Sequence, residues 1–322
     1  MNSNTKSRTQ KDKSKIYEKT TIGGTTVRLP PPAPLPTTSL TGRNDIIEKA
    51  LAAWMALGTL PPLNFRLHGP PGVGKNAIVY ELARVLGKDL YIINGHEELG
   101  PEDIACTATI TSRNTIEYVA SPLFAGMYRG SIVFFDEIGK APPAALDPLA
   151  SVLDDRRELT SVLAGIRIKA NAEFLFCAAL NEIEERGVGL PAFLDERTRP
   201  AIHVGYPPIA TLEQILEAHF PDHEKVWARA FTAEFKDDTL SPRTAITLLG
   251  YACRLFQAKN GPSTRPTEQE VRYYLRKLQA ETGHDRDEDA ASPDSQNDIF
   301  QPETDTDEDT TQLDLGNEGP VH

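Results

Sequence analysis

The stretch Leu67-His68-Gly69-Pro70-Pro71-Gly72-Val73-Gly74-Lys75-Asn76 constrains the fold more than any other part of this 322-residue chain. An alternating apolar run over 63–67 precedes it, and apolar residues at helical spacing follow it over 77–86. This pattern predicts a strand, a glycine-rich turn and a helix. The glycines let successive backbone N–H groups converge, and the lysine adds positive charge where the helix dipole already favours an anion. The turn is therefore predicted to bind a polyphosphate.

One position departs from the usual phosphate-binding pattern. Gly69, Gly74 and Lys75 satisfy G-x-x-x-x-G-K, but Asn76 stands where the pattern has Ser or Thr, whose hydroxyl meets Mg²⁺. An amide oxygen is a weaker ligand for a hard cation than that hydroxyl, so metal binding is expected to be looser or to pass through water. The predicted nucleotide-contacting residues are Gly69, Pro70, Pro71, Gly72, Val73, Gly74, Lys75, Asn76 and Ala77.

The charge distribution gives no basic surface for nucleic acid. The net charge is −12, and residues 283–322 alone hold thirteen acids against Arg286, so the tail carries the whole excess. The first twenty residues hold six bases and two acids, which leaves the middle of the chain close to neutral. A nucleic-acid-binding domain would be expected to show clustered Lys and Arg there. Nucleic acid is therefore not expected as a partner.

The cysteines and the hydropathy pattern indicate a cytoplasmic protein. Cys106, Cys177 and Cys253 are widely spaced and form no C-x-x-C pair, so we expect small core residues and neither a disulfide nor metal ligands. No apolar run approaches the roughly 20 residues that a membrane span needs. The N-terminal residues lack the apolar region of a secretory signal.

Composition and periodicity divide the chain into four parts. Residues 1–38 are expected to form a disordered basic tail and a proline-rich linker, 39–207 an α/β nucleotide-binding subdomain, 208–282 a helical lid, and 283–322 a disordered acidic tail. The fold class is α/β, a P-loop NTPase parallel sheet sandwiched by helices. Helices are predicted over about 45–57, 145–153, 210–219, 222–235, 242–258 and 267–281, and β-hairpins over 110–119 and 158–169.

Polar residues follow two buried strands at the edge where such sheets bind ligands. Asp136 and Glu137 end the apolar run 131–135, where Asp136 can hold Mg²⁺ and Glu137 can polarise an attacking water. The two carboxylates could instead cap the following helix. Asn181 ends the strand 174–180 and can hydrogen-bond a phosphate or the water, although an Asn at a strand-to-loop turn is otherwise common.

These features in this order, with helices behind them, resemble the AAA+ ATPases. The segment Phe134-Phe135-Asp136-Glu137-Ile138-Gly139-Lys140-Ala141-Pro142-Pro143 resembles the MoxR-type branch and its dynein-related relatives, and the likeness covers roughly residues 40–260. It implies a Walker A motif around Lys75, a Walker B motif at Asp136 and Glu137, sensor 1 at Asn181 and sensor 2 at Arg243. Thr41-Gly42-Arg43 resembles the stretch that lines the nucleotide base, and the hairpin at 107–119 resembles an insert that faces the ring pore or a substrate.

The resemblance also implies an arginine finger, which reaches the γ-phosphate bound by a neighbouring subunit. Leu194-Asp195-Glu196-Arg197-Thr198-Arg199-Pro200 occupies the corresponding position, and either Arg197 or Arg199 fits. Each could instead be a solvated charge at a helix end.

The function expected from these residues and from the resemblance is ATP hydrolysis with Mg²⁺ held by Asp136 and Asn76. The resemblance implies a ring homo-oligomer, a hexamer, that remodels or activates a protein client, with a von Willebrand factor A domain protein as a partner of this branch. Two other functions remain open. One is an AAA+ motor subunit acting on nucleic acid, and the other is a slow nucleotide-dependent scaffold, which Asn76 favours.

Overall fold

The computed structural model describes residues 17–112, 114–181, 190–220, 224–236 and 239–289. The strands are β1 (Glu18–Ile22), β2 (Thr25–Leu29), β3 (Phe65–Gly69), β4 (Leu90–Asn94), β5 (Cys106–Ile110), β6 (Ile116–Ala120), β7 (Ile132–Asp136), β8 (Glu158–Ser161), β9 (Ile166–Lys169), β10 (Leu175–Asn181) and β11 (Ala201–His203). The helices are α1 (Asn44–Trp54), α2 (Lys75–Leu86), α3 (Pro101–Ile104), α4 (Pro122–Arg129), α5 (Pro143–Leu146), α6 (Leu149–Val152), α7 (Ala192–Arg197), α8 (Ile209–His219), α9 (Glu224–Glu234), α10 (Pro242–Asn260) and α11 (Glu268–Asp289).

A five-stranded parallel sheet in the order β11-β3-β10-β7-β4 forms the centre of the molecule. Helices connect its parallel strands, as crossover geometry requires. The α/β fold with a parallel sheet flanked by helices is therefore confirmed. Since β10 lies between β3 and β7, the residues that end these three strands meet at one edge of the sheet.

The two faces of this sheet bury separate hydrophobic cores. Along β10, Phe176, Ala178 and Leu180 pack into one core with the hairpins and α4. Leu175, Cys177 and Ala179 point the other way and pack with α1, α2 and β3. The alternation follows from the two-residue repeat of a strand, and burial on both faces explains why β10 reads as a continuous apolar run.

A second sheet, in the order β1-β2-β6-β5, corrects one prediction. The sequence predicts a disordered tail and linker over 1–38, but 18–29 form a β-hairpin whose second strand pairs with β6. Val27 and Leu29 are buried on one face of β2. Glu117 in β6 accepts hydrogen bonds from Lys19 and Arg28, at 2.9 and 3.2 Å. The basic side chains that suggest a tail thus serve as cross-strand partners; residues 1–16 lie outside the described residues.

The remaining helices, α8 to α11, pack around a third core of their own and are called the helical lid below. Helix α10 begins as its sequence predicts, because Ser241 accepts a hydrogen bond from the Thr244 backbone N–H at 3.1 Å and Pro242 takes the first helical position. Helix α11 runs to Asp289, beyond the expected start of the acidic tail at 283; residues 290–322 lie outside the described residues.

Two further helix predictions need small corrections. Helix α1 ends at Trp54 and not at 57, because the chain leaves the helix to return to β3. The helix expected over 145–153 is two short helices, α5 and α6, with Pro148 between them. The hairpin at 158–169 has the predicted limits. Among the described residues, no helix combines the length and the apolar character that crossing a membrane would require.

Candidate functional site

A cavity of about 570 Å³ opens at the carboxyl edge of the central sheet, within the size range of small-molecule sites. Its walls come from the glycine-rich loop, the ends of β7 and β10, the segment before α1, and helices α8 and α10. The structure brings most predicted site residues together here: Pro71, Gly72, Val73, Gly74, Lys75, Asn76, Ala77, Asp136, Glu137, Asn181 and Arg243 all line the cavity.

Lys75 lies inside the glycine-rich loop. Its ammonium donates to the backbone carbonyls of Gly69 and Pro70, at 2.7 and 3.0 Å, and to Asn181 Oδ1 at 2.7 Å. Only 7% of the residue is exposed. Gly69 and Pro70 therefore hold the Lys75 ammonium in place through these carbonyl oxygens. The rest of the loop lines the cavity. The Lys75–Asn181 contact follows from strand register, since Asn181 pairs directly with Gly69.

Asp136 and Asn76 form the second polar contact. The Asn76 amide nitrogen donates to Asp136 Oδ2 at 2.5 Å, so this amide presents its nitrogen, and not its oxygen, to the carboxylate. Burial raises the pKa of Asp136 above its ordinary value, while the hydrogen bond from Asn76 acts in the opposite direction. The two predicted metal ligands are therefore adjacent, with the amide oxygen turned away from the shared contact.

Glu137 has a backbone conformation that is rare for a residue with a side chain, with φ of 51° and ψ of 41°. This left-handed turn between β7 and a 3₁₀ turn (Ile138–Lys140) places the residue on the cavity wall. Its carboxylate pairs with Lys140 at 2.8 Å, and both side chains are close to half exposed. Exposed pairs of this kind contribute about 0–1 kcal/mol, so the carboxylate can exchange Lys140 for water at little cost.

The helical lid touches the loop directly at Gly72. The Arg243 backbone N–H donates to the Gly72 carbonyl at 3.4 Å. Gly72 has φ of +80°, and a Cβ at this position would lie 2.7 Å from Ser241 Oγ and 3.2 Å from Arg243 Cβ. A glycine is needed here both for the backbone conformation and for the close approach of α10. The start of α10 thus brings Arg243 to the cavity.

Arg197 and Arg199 do not line this cavity. They line a separate groove with Leu60, Leu63 and Glu196. Arg197 donates to the Phe193 carbonyl at 3.0 Å, and Arg199 pairs with Asp195 at 2.7 Å. Within the part of the chain that the structure describes, no residue lines both the groove and the cavity. Neither arginine is therefore positioned to contact a molecule in the cavity of its own subunit.

Sequence reasoning missed Arg66, a buried residue that positions these arginines. From β3, Arg66 donates to Asp195 Oδ1 at 2.6 Å, to the Asp195 carbonyl at 3.0 Å and to Thr198 Oγ1 at 3.1 Å. The Arg199 guanidinium holds the pKa of Asp195 below its ordinary value, and Arg66 acts in the same direction. The sequence did contain a signal for this role, because Arg66 is a charged residue in a strand predicted to be largely apolar. A buried charge needs partners, so such a residue is expected to form hydrogen bonds or an ion pair.

The wall beside α1 and α8 holds Arg43, which belongs to the stretch Thr41-Gly42-Arg43 expected to line the nucleotide base, and further residues that motifs alone do not identify. Arg43, 7% exposed, donates to the carbonyls of Val73 and Gly205, at 3.3 and 2.8 Å. It therefore ties the glycine-rich loop to the chain that follows β11. Burial lowers the pKa of Arg43 relative to its ordinary value. The same wall includes Thr41 of that stretch, and also Tyr80, Ile215, His219 and Ile246.

The donor set fits a nucleoside triphosphate with a divalent cation. Lys75 and Arg243 bring positive charge, the loop brings backbone N–H groups in the conformations that form an anion-binding nest, and the far wall is largely apolar. Asp136 supplies the carboxylate oxygen that Mg²⁺ prefers. Gly72 and Gly74 have φ values of +80° and +100°, which is the curled conformation that the loop needs to converge on phosphates.

A parallel sheet in this strand order, with a glycine-rich loop and a helical lid over one cavity, defines the fold of the AAA+ P-loop ATPases. A narrower description applies to part of the chain: residues 64–197 match the AAA domain family, dynein-related subfamily. Over these residues the chain is therefore similar to AAA domains. Arg66, the glycine-rich loop, Asp136, Asn181 and Arg197 all fall within the matched residues.

Curated relatives match over part of the chain. The uncharacterized protein YojN of Bacillus subtilis (strain 168) is 34% identical over 122 residues, which are 37% of this chain and 40% of YojN. The uncharacterized protein SERP0979 of Staphylococcus epidermidis is 34% identical over 123 residues, 37% of this chain and 47% of that protein. The chain thus spans less than half the length of these relatives.

Solved structures share the fold at low identity. A point mutant of RuvB from Thermotoga maritima has a TM-score of 0.54 and 21% identity, over 74% of this chain and 71% of that one. The structure described as the Thermotoga maritima RuvB Holliday junction branch migration motor has a TM-score of 0.52 and 19% identity, over 76% and 73%. NtrX from Brucella abortus has a TM-score of 0.52 and 13% identity, over 72% and 54%. These likenesses show the fold alone.

Proposed function

We propose that this protein binds ATP with Mg²⁺ and hydrolyses it, and that a ring of its subunits couples hydrolysis to remodelling or activating a partner protein. The observation that carries the proposal is the convergence of Lys75, Asp136, Glu137, Asn181 and Arg243 on one cavity. These residues come from the loop, from two strand ends and from the helical lid. A purely structural use of the same residues would not require them to face one cavity.

Each residue has a role that its position supports. The loop backbone and Lys75 bind the phosphates, and Asn181, already within 2.7 Å of the Lys75 ammonium, is placed to hydrogen-bond the terminal phosphate or the attacking water. Glu137 accepts a proton from that water as its oxygen attacks the γ-phosphorus and the bond to the β-phosphate oxygen breaks. Asp136 would hold Mg²⁺, and the ion would neutralise charge on the phosphates.

Two roles extend beyond the single subunit. Arg197 or Arg199 serves as the arginine finger for the neighbouring subunit, since neither lines the cavity of its own. The hairpin β5–β6, which carries the exposed Ile110 and Ile116 at its tip, faces the client. The MoxR-like branch, a von Willebrand factor A domain partner and a hexameric ring rest on the resemblance of residues 134–143, and a cytoplasmic location rests on composition.

The test compares the wild-type chain with Lys75→Ala and Glu137→Gln. Lys75→Ala should lose binding of a fluorescent ATP analogue, because the ammonium that balances the phosphate charge is gone. Glu137→Gln should bind ATP but turn over at least about 100-fold more slowly, within the range typical of a lost general base. Turnover by Glu137→Gln at the wild-type rate would contradict the mechanism. The protein that co-purifies with the stalled Glu137→Gln ring would identify the client.

A second function, slow hydrolysis by a nucleotide-dependent scaffold, is favoured by one observation. The Asn76 amide nitrogen contacts Asp136 at the position where the usual hydroxyl would meet the metal. A motor acting on nucleic acid has no such support in the described residues, and stimulation of ATPase activity by DNA is the result that would favour it.

A further inference from the structure

A short segment between the proline-rich run and α1 borders the cavity. Residues 36–40, here called the strap, form neither helix nor strand, and Pro36, Thr38, Ser39 and Leu40 belong to the cavity wall. The run Pro30-Pro31-Pro32-Ala33-Pro34-Leu35-Pro36 ends at the first residue of the strap. Proline fixes its own φ and restricts the residue before it, so this run brings a stiff, extended backbone to the edge of the cavity.

Two side chains of α2 hold the strap by its backbone. The Arg84 guanidinium donates to the carbonyls of Pro36 and Thr38, at 2.7 and 3.3 Å. The Leu40 N–H donates to Glu81 Oε2 at 3.1 Å, and the same carboxylate oxygen accepts from Arg84. Both ends of the strap are therefore fastened to one ion pair, here called the clamp. Its side chains are only 18% (Glu81) and 32% (Arg84) exposed, so solvent competes weakly for these hydrogen bonds.

The chain on either side of the strap is anchored as well. Before the strap, the Ala33 N–H donates to the Leu90 carbonyl at 2.7 Å, at the start of β4. After the strap, Gly42 packs so closely against α8 that a Cβ would lie 2.4 Å from Thr211 Cγ2. The strap is thus a short span between two fixed points, and the clamp determines how that span lies against the cavity.

The clamp stands on the same helix as the lysine of the glycine-rich loop. Helix α2 begins at Lys75, and an α-helix rises about 1.5 Å per residue, so Glu81 lies about 9 Å farther along the axis. Tyr80 lines the cavity at this level, together with Leu40 of the strap and Ile215 of α8. The strap therefore bounds the part of the cavity away from the glycine-rich loop. Aromatic and apolar walls there suit a nucleobase rather than phosphate groups.

We propose that Glu81 and Arg84 are positioning residues that hold the strap against the nucleoside end of the cavity, and that this clamp gives the site its preference for a nucleoside triphosphate over an inorganic polyphosphate. The inference rests on the proposed ATPase function and names the substrate class that the same site selects. Neither clamp residue is among the described residues that line the cavity, so each acts through the strap. A strap that is ordered before the ligand arrives lowers the entropy cost of binding.

A purely structural role for the clamp predicts a different result. Lower stability of the whole fold would reduce the affinity for every ligand of the cavity to the same extent. A displaced strap would instead reduce only the affinity for ligands that carry a nucleoside. Inorganic tripolyphosphate has the three phosphates of ATP without the nucleoside, so the ratio of the two affinities separates these roles.

The first experiment is isothermal titration calorimetry of the full chain with a non-hydrolysable ATP analogue and with tripolyphosphate, each with Mg²⁺. Arg84→Ala should weaken binding of the ATP analogue at least about tenfold, the scale of a hydrogen bond to a charged group, and leave tripolyphosphate binding within about twofold. Arg84→Lys keeps a charged donor and should recover part of the lost affinity. Lys75→Ala should weaken binding of both ligands, because both carry the phosphates.

The matched control is Arg129→Ala. Arg129, like Arg84, lies in the last turn of its helix and pairs with a glutamate, and its side chain is 23% exposed. It belongs to α4 and is not among the described residues that line the cavity. Its replacement should leave the affinities for both ligands unchanged.

The second experiment follows the strap itself by hydrogen exchange. In the wild-type chain, the ATP analogue should slow exchange of the amides of residues 37–40, and tripolyphosphate should leave their rates unchanged. Glu81→Leu removes the acceptor of the Leu40 N–H, so this amide should exchange at least about tenfold faster in the absence of ligand.

Three results would overturn the proposal: equal loss of affinity for both ligands in Arg84→Ala, unchanged affinity for the ATP analogue in that variant, or equal affinities of the wild-type chain for the two ligands. The first would assign the clamp to the stability of the fold alone. Failure of the proposed function has a separate signature, since a wild-type chain that binds neither ligand, or a Glu137→Gln chain with full turnover, contradicts ATP hydrolysis without any change to the clamp.

Discussion

Asn76 is the residue at which the glycine-rich loop departs from the usual phosphate-binding pattern. Its amide nitrogen contacts Asp136 at 2.5 Å, so the side chain acts as a donor to the carboxylate proposed to hold the metal. A hydroxyl at this position could donate to Asp136 and still present lone pairs to Mg²⁺, which an amide nitrogen cannot do. Asn76 therefore holds the carboxylate in place, and a metal ion bound to that carboxylate would lack the ligand that a hydroxyl supplies.

We expect Asn76→Thr to lower the Mg²⁺ concentration needed for half-maximal ATP turnover. A gain of about 1 kcal/mol in metal binding, the scale of one hydrogen bond, corresponds to about a fivefold shift. The measurement is a turnover titration with Mg²⁺ at saturating ATP. Asn76→Ala is the control, because it removes the amide without adding a hydroxyl. Equal Mg²⁺ requirements for the Thr and Ala variants would contradict the assignment.

Gly72 couples two elements, the glycine-rich loop and α10. Gly72→Ala would place a Cβ 2.7 Å from Ser241 Oγ in a backbone conformation that disfavours side chains. The left-handed conformation alone costs about 1–2 kcal/mol, and displacing the cap of α10 adds about 1 kcal/mol. Thermal unfolding without nucleotide should therefore show that the free energy of unfolding is lower by about 2–3 kcal/mol.

Gly87→Ala isolates the backbone cost, since Gly87 has φ of +60°, has no atom within 4 Å of the point that a Cβ would occupy, and lies outside the cavity. It should lose less stability than Gly72→Ala. Ser241→Ala supplies a double-mutant cycle: combined with Gly72→Ala, it should cost less than the sum of the two single changes, because the clashing oxygen is already gone. Additive losses would show that the loop and α10 are not coupled at this contact.

The hydrogen bonds from Arg66 in β3 to Asp195 in α7 and to Thr198 lead to a second prediction about contacts between elements. Arg66→Leu removes three hydrogen bonds to Asp195 and Thr198 from a buried side chain, and should lower the free energy of unfolding by about 1–3 kcal/mol. Turnover should fall while ATP-analogue binding stays unchanged, because the displaced groups are the arginines and not the cavity. Urea unfolding and turnover assays provide the measurements.

The control for Arg66→Leu is Arg167→Leu, since Arg167 pairs with Glu158 across the hairpin β8–β9 and its side chain is 68% exposed. That change should leave the urea midpoint and the turnover rate unaltered. If Arg66→Leu also preserves turnover, Arg66 holds the fold together without positioning Arg197 and Arg199.

Elements with a strong local signal could be predicted from the sequence, whereas those that depend on distant partners could not. The loop before Lys75, the strand ending at Asp136 and the cap at Ser241 carry local patterns that the structure reproduces. The hairpin β1–β2 was missed because Lys19 and Arg28 read as solvated charges until Glu117, about ninety residues later, is known to face them. Pairing between residues so far apart in the chain leaves no repeating pattern in the sequence from which it could be predicted.

In the candidate site, too, the features with a local sequence signal could be predicted, and those that depend on distant residues could not. The convergence of Lys75, Asp136 and Asn181 on one cavity could be predicted, because glycine conformations and strand ends impose residue types on neighbouring positions. Arg43 and Arg66 were not assigned their contacts, because each hydrogen-bonds to backbone or side-chain oxygens that only the folded chain brings close. The separation of Arg197 and Arg199 from the cavity likewise depends on strand order, which places β11 and α7 beside β3.

At the scale of the whole molecule, each of the three hydrophobic cores contains one cysteine. Cys106 lies in the core beneath the hairpins, Cys177 in the core with α1 and α2, and Cys253 in the core of the helical lid. All three are free thiols and buried, as the sequence predicts. Burial raises the pKa of Cys106 to about 11 and that of Cys253 to about 12, and raises the pKa of Cys177 well above its ordinary value.

The thiols should therefore report on each core separately. At pH 8 the folded thiols stay protonated and should react with iodoacetamide far more slowly than in urea, because the thiolate is the reactive form. Unfolded thiols lose their protons near about pH 8.5 while the folded ones retain them, so stability should fall as pH rises above that value. Mass spectrometry of labelled peptides assigns each rate to its cysteine. Rapid labelling of Cys253 alone would show that the lid core opens independently of the sheet, and equal rates in folded and unfolded protein would contradict the buried assignment.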